Sequence, residues 1–260
     1  MNVSFARPAP FASLTKGATI LAALTLIGPP ALAQTLDPEV EAFVQSNVLG
    51  IFYHELGHAL IDLENVPIFG QEEDAADVFS VVMTVAVFEP ETALELAYDY
   101  ALGFDAEARA REDAGEDIAW WDVHGPDEQR FYNTVCLFHG SDPETFDYFA
   151  EDMGLPEDRA EYCPDEYAQA EESWWEILDR VIDRKGGSTI TYSGPKHGLV
   201  GEILSEEVAA LNAEMKLSHP LDVTVAPCGE ANAYYDPQDA QITFCTEFVD
   251  HLVHLAKESL

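Results

Sequence analysis

His54-Glu55-Leu56-Gly57-His58 holds the residue types and spacing in this chain best suited to chemistry. Two histidines four residues apart on a helix leave the same face, so both imidazoles can grip one metal ion, a Zn2+ in the usual case. Glu55 stands one residue after the first ligand, placed to take a proton from a water that the metal activates. The pattern H-E-x-x-H therefore predicts metal-assisted hydrolysis with Glu55 as general base. A second acidic pair, Glu73 and Asp77, falls at i, i+4 and shares one helix face. Glu73 is the candidate third ligand, with the adjacent Glu72 as its alternative. Asp77 can accept the second ring N–H of a ligand histidine and so fix its tautomer and orientation. The plain structural alternative for Glu72–Asp77 is an acidic helix start that complements the helix dipole.

These side chains need two packed helices. The run 44–63 is apolar on most faces, as a buried central helix should be, so one helix over 37–63 is expected to carry the histidines. Pro67 and Gly70 break it, and a second helix over 72–88 carries the acids. Further helices are expected over 91–102, 127–138, 144–152 and 166–182. The acidic stretch 105–117 reads as exposed, and Gly140-Ser141-Asp142-Pro143 reads as a turn. Lys185-Gly186-Gly187 marks a boundary. Beyond it, 188–192 and 221–226 read as strands, 199–215 and 248–260 as helices. Asp236-Pro237-Gln238-Asp239 reads as the turn of a hairpin between 231–235 and 241–244. The expected class is α+β: a mainly helical lobe over 34–185 and a small mixed lobe over 186–260, together one unit.

Residues 1–33 read as a signal peptide. Arg7 and Lys16 give a positive start, 18–27 is a short apolar run, and Ala31-Leu32-Ala33 is a cleavage site. That run is short for a bilayer span, and no later stretch is apolar enough for one. A periplasmic or secreted protein with no membrane span is expected. Cleavage takes the net charge from −37 to −39, because two basic residues leave and no acid does. Such a surface repels nucleic acid and anionic membranes. A strongly solvated surface is the bland explanation, and steering of basic peptides the sharper one. Four cysteines, Cys136, Cys163, Cys228 and Cys245, favour disulfides in an exported chain. Three pairings exist. Cys136–Cys163 and Cys228–Cys245 are favoured because each pair brackets a local unit. A four-cysteine zinc site is disfavoured, since no C-x-x-C spacing occurs.

H-E-x-x-H followed by E-x-x-x-D on a second helix resembles the gluzincin metallopeptidases, which include thermolysin and neprilysin. FYHELGHALIDL, GQEEDAAD, DEQRFYNTVCLFHGSDP and CGEANAYYDPQDAQITFC resemble more closely a bacterial family of metallopeptidases of unassigned function. The resemblance implies a zincin-like domain with one Zn2+ and a peptide or protein substrate. Asn232-Ala233-Tyr234-Tyr235 resembles the N-A-x-x edge strand of the gluzincins, which would make Asn232 and Ala233 substrate-binding through β-augmentation. In thermolysin-type peptidases that strand precedes the H-E-x-x-H helix. Here it follows, which implies a circular permutation, with the last helix ending near the first. The alternative for this stretch is an ordinary hairpin.

A zinc peptidase also needs a donor for the oxyanion that develops on the attacked carbonyl. His124, held by Asp122 or Asp127, is one candidate. Arg130, which could grip a carbonyl or carboxylate bidentately, is the other. Two other functional classes remain open. One is a zinc-containing envelope binding or assembly protein without turnover, against which Glu55 argues. The other is a zinc hydrolase of a cell-wall amide.

Overall fold

Asp37 starts the helix that carries the metal motif, its carboxylate accepting the backbone N–H of Glu39 at 3.0 Å. In the computed structural model, which describes residues 36–260, this helix α1 spans Pro38–Leu63. It is buried nearly all round: Phe43, Val44, Val48, Phe52, Tyr53, Leu56 and Leu60 have no exposed surface. Eight more helices follow: α2 (Glu72–Val87), α3 (Pro90–Asp113), α4 (Asp127–Ser141), α5 (Pro143–Asp152), the single turn α6 (Glu157–Ala160), α7 (Cys163–Asp183), α8 (Leu199–Glu214) and α9 (Thr246–Ser259). Four short strands complete the α+β fold: β1 (Ile190–Tyr192), β2 (Leu221–Ala226), β3 (Ala233–Asp236) and β4 (Gln241–Cys245). The predicted N-terminal signal segment lies outside the described residues.

α2 lies against the motif face of α1. A Cβ on Gly57 would stand 3.1 Å from the Ala76 Cα, so the glycine inside the motif lets the two backbones approach closely. That approach brings the acidic first turn of α2, Glu72, Glu73 and Asp74, up to the histidines. α1 also packs on α3, α8, α9, β3 and β4, and a single apolar core runs through both halves of the chain.

Among the boundaries that differ from the sequence expectation, two are informative. α3 does not stop at Leu102 but runs on through 105–113. Ala106 and Ala108 are buried there, and Asp105 pairs with Arg109 one turn on. The apolar signal is thin because alanine, not leucine, makes the contact. α4 likewise absorbs Gly140 and Ser141. A Cβ at Gly140 would stand 2.2 Å from the Cys163 carbonyl oxygen, so this glycine marks a close helix approach rather than a turn. Asp142 alone separates α4 from α5, and it caps α5 by accepting from the N–H groups of Glu144 and Thr145.

The disulfides are Cys136–Cys163 and Cys228–Cys245, the favoured pairing. The first fastens α4 to the start of α7. The second ties the loop before β3 to the end of β4. With separations of 27 and 17 residues, each contributes roughly 3 kcal/mol in the chain-entropy picture.

The sheet order is β1-β2-β4-β3. β1, β2 and β4 are parallel, with α8 as the β1-to-β2 crossover, and β3 pairs antiparallel with β4 as the predicted hairpin. β3 is therefore an edge strand. The Asn232 carbonyl accepts from the Cys245 N–H at 2.9 Å, so the even-numbered residues turn their backbone groups toward β4. Ala233 and Tyr235 consequently turn theirs toward the open edge, which lies along α1.

Past the end of α1, Glu64 locks the helical half to the sheet half. Arg184 donates to both its carboxylate oxygens at 2.8 Å, and the Ser218 N–H donates to Oε1 at 2.8 Å. Burial works against the charge, but Arg184 and Ser218 outweigh it and hold the Glu64 pKa below its ordinary 4.5. A depressed carboxylate stabilises the fold above its unfolded pKa, and that contribution disappears as pH falls through the folded value. Arg184→Met should therefore cost about 1–2 kcal/mol at pH 7, where it strands a buried carboxylate. The gap from wild type should narrow in acid below the ordinary carboxylate range. Urea unfolding at several pH values measures both, and a gap that stays constant with pH would contradict the assignment.

Candidate metal centre

Helical spacing puts His54 and His58 on one face of α1, and the close α1–α2 crossing supplies their partners. The Nδ1 atom of His54 lies 2.7 Å from Asp77 Oδ1, and that of His58 lies 2.8 Å from Glu72 Oε1. A carboxylate on Nδ1 makes that nitrogen the N–H donor and leaves Nε2 as the free ligand atom in the neutral ring. The two Nε2 atoms then converge to 3.2 Å. Both also approach one oxygen, Glu73 Oε2, at 3.2 and 3.1 Å. Two lone pairs and a carboxylate oxygen aimed at one point repel unless a cation or protons lie between them. Donors bound to one metal at ~2.0–2.1 Å stand about 3.3 Å apart in a tetrahedron, so the residues present fit a metal ion.

The titration behaviour follows from the same geometry. Burial by itself lowers the His54 pKa, but the carboxylates of Asp77 and Glu73 outweigh it and push the value up to about 9. His58 is raised in the same way, burial being overcome by Glu73 and Glu72. Burial would raise Glu73, yet contacts from His124, His54 and His58 hold it far below the usual carboxylate range. Asp77 is also held far down. Burial opposes its charge, but Arg130 donates to both its oxygens at 2.8 Å through Nε and Nη2, and His54 adds a third contact. The Arg130 guanidinium in turn lies 4.4 Å over the ring of Phe104.

Glu55 is 6% exposed, on the turn that also holds the two histidines. Burial raises its pKa, and the neighbouring imidazoles only partly counter this. The backbone N–H of Tyr235, on the edge-facing side of β3, also favours its charged form. A cavity of about 520 Å³ opens beside these groups, bordered by His54, Glu55, His124, Arg130, Asn232 and Ala233 among others.

His54, His58 and Glu73 come together with Asp77 behind them. Glu72, the alternative third ligand, faces the outer nitrogen of His58 instead. This contact is not legible in the sequence, because which of two adjacent glutamates reaches the inner nitrogens depends on the rotation of α2. Arg130 reaches the site through Asp77, its fork already occupied. His124 places Nε2 2.9 Å from Glu73 Oε2, with Asp122 Oδ1 3.7 Å from its Nδ1 and accepting its backbone N–H at 3.2 Å. Asp127 faces Arg130 at 4.0 Å rather than His124. Asn232 and Ala233 border the cavity, while the four cysteines serve the scaffold. The Tyr235 contact to Glu55 left no sequence signal, since a main-chain donor has no identity of its own.

No curated protein matches the chain, and neither does any solved structure. A family profile described as "Putative metallopeptidase" matches residues 30–178 and 197–259. The match takes in the His54–His58 and Glu72–Asp77 faces of α1 and α2, His124, Arg130 and the β3–β4 hairpin, and the chain belongs to that family.

Proposed function

We propose that the protein is an exported zinc peptidase of gluzincin type, its two lobes forming one catalytic unit permuted relative to thermolysin. The observation that carries this is the meeting of His54 Nε2, His58 Nε2 and Glu73 Oε2, with each imidazole fixed from behind by its own carboxylate. Two imidazoles and one carboxylate are the donor set of a hydrolytic zinc site. Zinc, when bound, supplies Lewis acidity that acidifies water and polarises a carbonyl. Two disulfides fit an oxidising compartment outside the cytoplasm. Among the described residues no helix is long and apolar enough to cross a membrane.

The chain's own groups divide the work. His54, His58 and Glu73 hold the ion. Glu55, with its raised pKa, takes the proton from the attacking water and passes it to the departing amine. Ala233 offers backbone N–H and C=O groups along the cavity edge, where an extended peptide can add as a further strand, and Asn232 adds a side-chain amide. His124, which borders the cavity, donates to the carbonyl oxygen as negative charge builds there. Arg130 positions Asp77, and through it the ring of His54.

Glu55→Gln should keep its zinc, measured by metal analysis, while cleavage of a mixed peptide library read by mass spectrometry drops about 10²–10⁴-fold. Undiminished cleavage would remove Glu55 from the mechanism. A zinc-loaded wild type that cuts no peptide but opens a cell-wall digest would move the substrate class to a wall amide.

Arg130→Met should weaken zinc binding about 10–100-fold by freeing Asp77 from its brace. Calorimetric titration reads this directly. Unchanged affinity would mean that the ring of His54 needs no such support.

A further inference from the structure

His54 and His58 sit deep in α1, but a third imidazole reaches the Glu73 carboxylate from outside. His124 Nε2 stands 2.9 Å from Glu73 Oε2, the oxygen that His54 Nε2 and His58 Nε2 approach at 3.2 and 3.1 Å. The donor atoms of His54, Glu73 and His124 all fall within 4.8 Å of one another. The His124 ring lies stacked on that of His54, 25° off parallel with centroids 6.3 Å apart. We propose that His124 is a fourth protein donor to the metal, so that the centre is closed at rest and opens when His124 withdraws. The inference builds on the metal-centre reading above.

Its position on the chain is what makes withdrawal feasible. His124 belongs to the stretch 114–126 between α3 and α4, which contains no helix or strand. Trp120, Trp121 and Val123 beside it are exposed, at 78%, 86% and 63%. Asp122, the carboxylate nearest its outer nitrogen, lies in the same turn, so ring and carboxylate can move together. Nothing in the α1–α2 crossing has to yield. His54, by contrast, cannot leave without losing Asp77 and Arg130 behind it.

A metal held by four protein donors has no position for water and serves structure. One held by three keeps a position for chemistry. This centre has the fourth donor of the first kind and the buried carboxylate and adjoining cavity of the second. A removable fourth donor reconciles them. It also gives His124 two successive duties: ligand while the site rests, and donor to the oxyanion once its ring has swung to the rim. A peptide entering along Ala233 would take the vacated position.

Cobalt(II), a spectroscopic stand-in for zinc, tests this without any substrate. Wild type, His124→Ala and His124→Cys are loaded with Co2+. Their visible spectra and their affinities against a competing chelator are recorded, with circular dichroism to verify folding. The Ala variant should show an altered ligand-field spectrum and bind cobalt at least about 10-fold more weakly, as expected when a donor is lost. The Cys variant should regain affinity and show a sulfur-to-cobalt charge-transfer band, which only a bound thiolate produces. Folded variants with the wild-type spectrum and affinity, and no charge-transfer band, would overturn the fourth donor while leaving the three-donor centre intact. A wild type that takes up no cobalt or zinc would overturn both readings.

Discussion

Everything at the centre depends on how closely α2 can approach α1. The first turn of α2 carries three acids in succession, and the positive end of the helix dipole favours them there. Gly57 removes the one side chain that would hold the helices apart. Glu72 and Asp77 then reach the outer nitrogens, and Glu73 fills the space between the inner ones. A residue with a Cβ at position 57 would press against the Ala76 backbone. The inner oxygen would then retreat from both imidazoles together, because all three acids ride on one rigid helix.

The same crowding sets up a competition between protons and metal. With carboxylates on both nitrogens, His54 keeps a proton until about pH 9. A metal entering the site must displace it, so binding releases protons and strengthens as pH rises. The orienting carboxylates therefore act in two directions. They aim the lone pairs and make the rings better donors, and they also hold protons on those rings until a stronger acid arrives. Arg130 tempers this by sharing Asp77, whose charge would otherwise belong to His54 alone.

What could be read from the sequence is what depends on local periodicity. The i, i+4 pairs His54/His58 and Glu73/Asp77 follow from helical geometry, as do the extents of α1 and α2 and the β3–β4 hairpin. The cysteine pairing could be read because each bridge closes a local unit. What could not be read depends on contacts between distant segments. α3 runs past Leu102 because Ala106 and Ala108 find a partner surface, and small side chains give too little apolar signal to announce it. The destination of Arg130 is Asp77, 53 positions earlier, and an arginine in so acidic a chain has many possible partners. From sequence His124 reads as an oxyanion donor held by Asp122 or Asp127. Its approach to the metal face required the path of 114–126 over the site.

Net charge sharpens the question of how one site is singled out. With 49 acids against 12 basic residues, the whole surface attracts cations, so local enrichment of divalent ions needs no special residue. Enrichment does not hold an ion in place. Exposed carboxylates keep their water and rotate freely, and a metal bound there gains little over solvent. Glu73 differs because its oxygen is fixed against two rings whose own orientations are fixed from behind. The acidic surface attracts cations everywhere, and the place where donors are already oriented toward one point is Glu73 with its two rings. The same field attracts a basic peptide as it does a metal cation, and the backbone edge of β3 that borders the cavity carries no charge to oppose it.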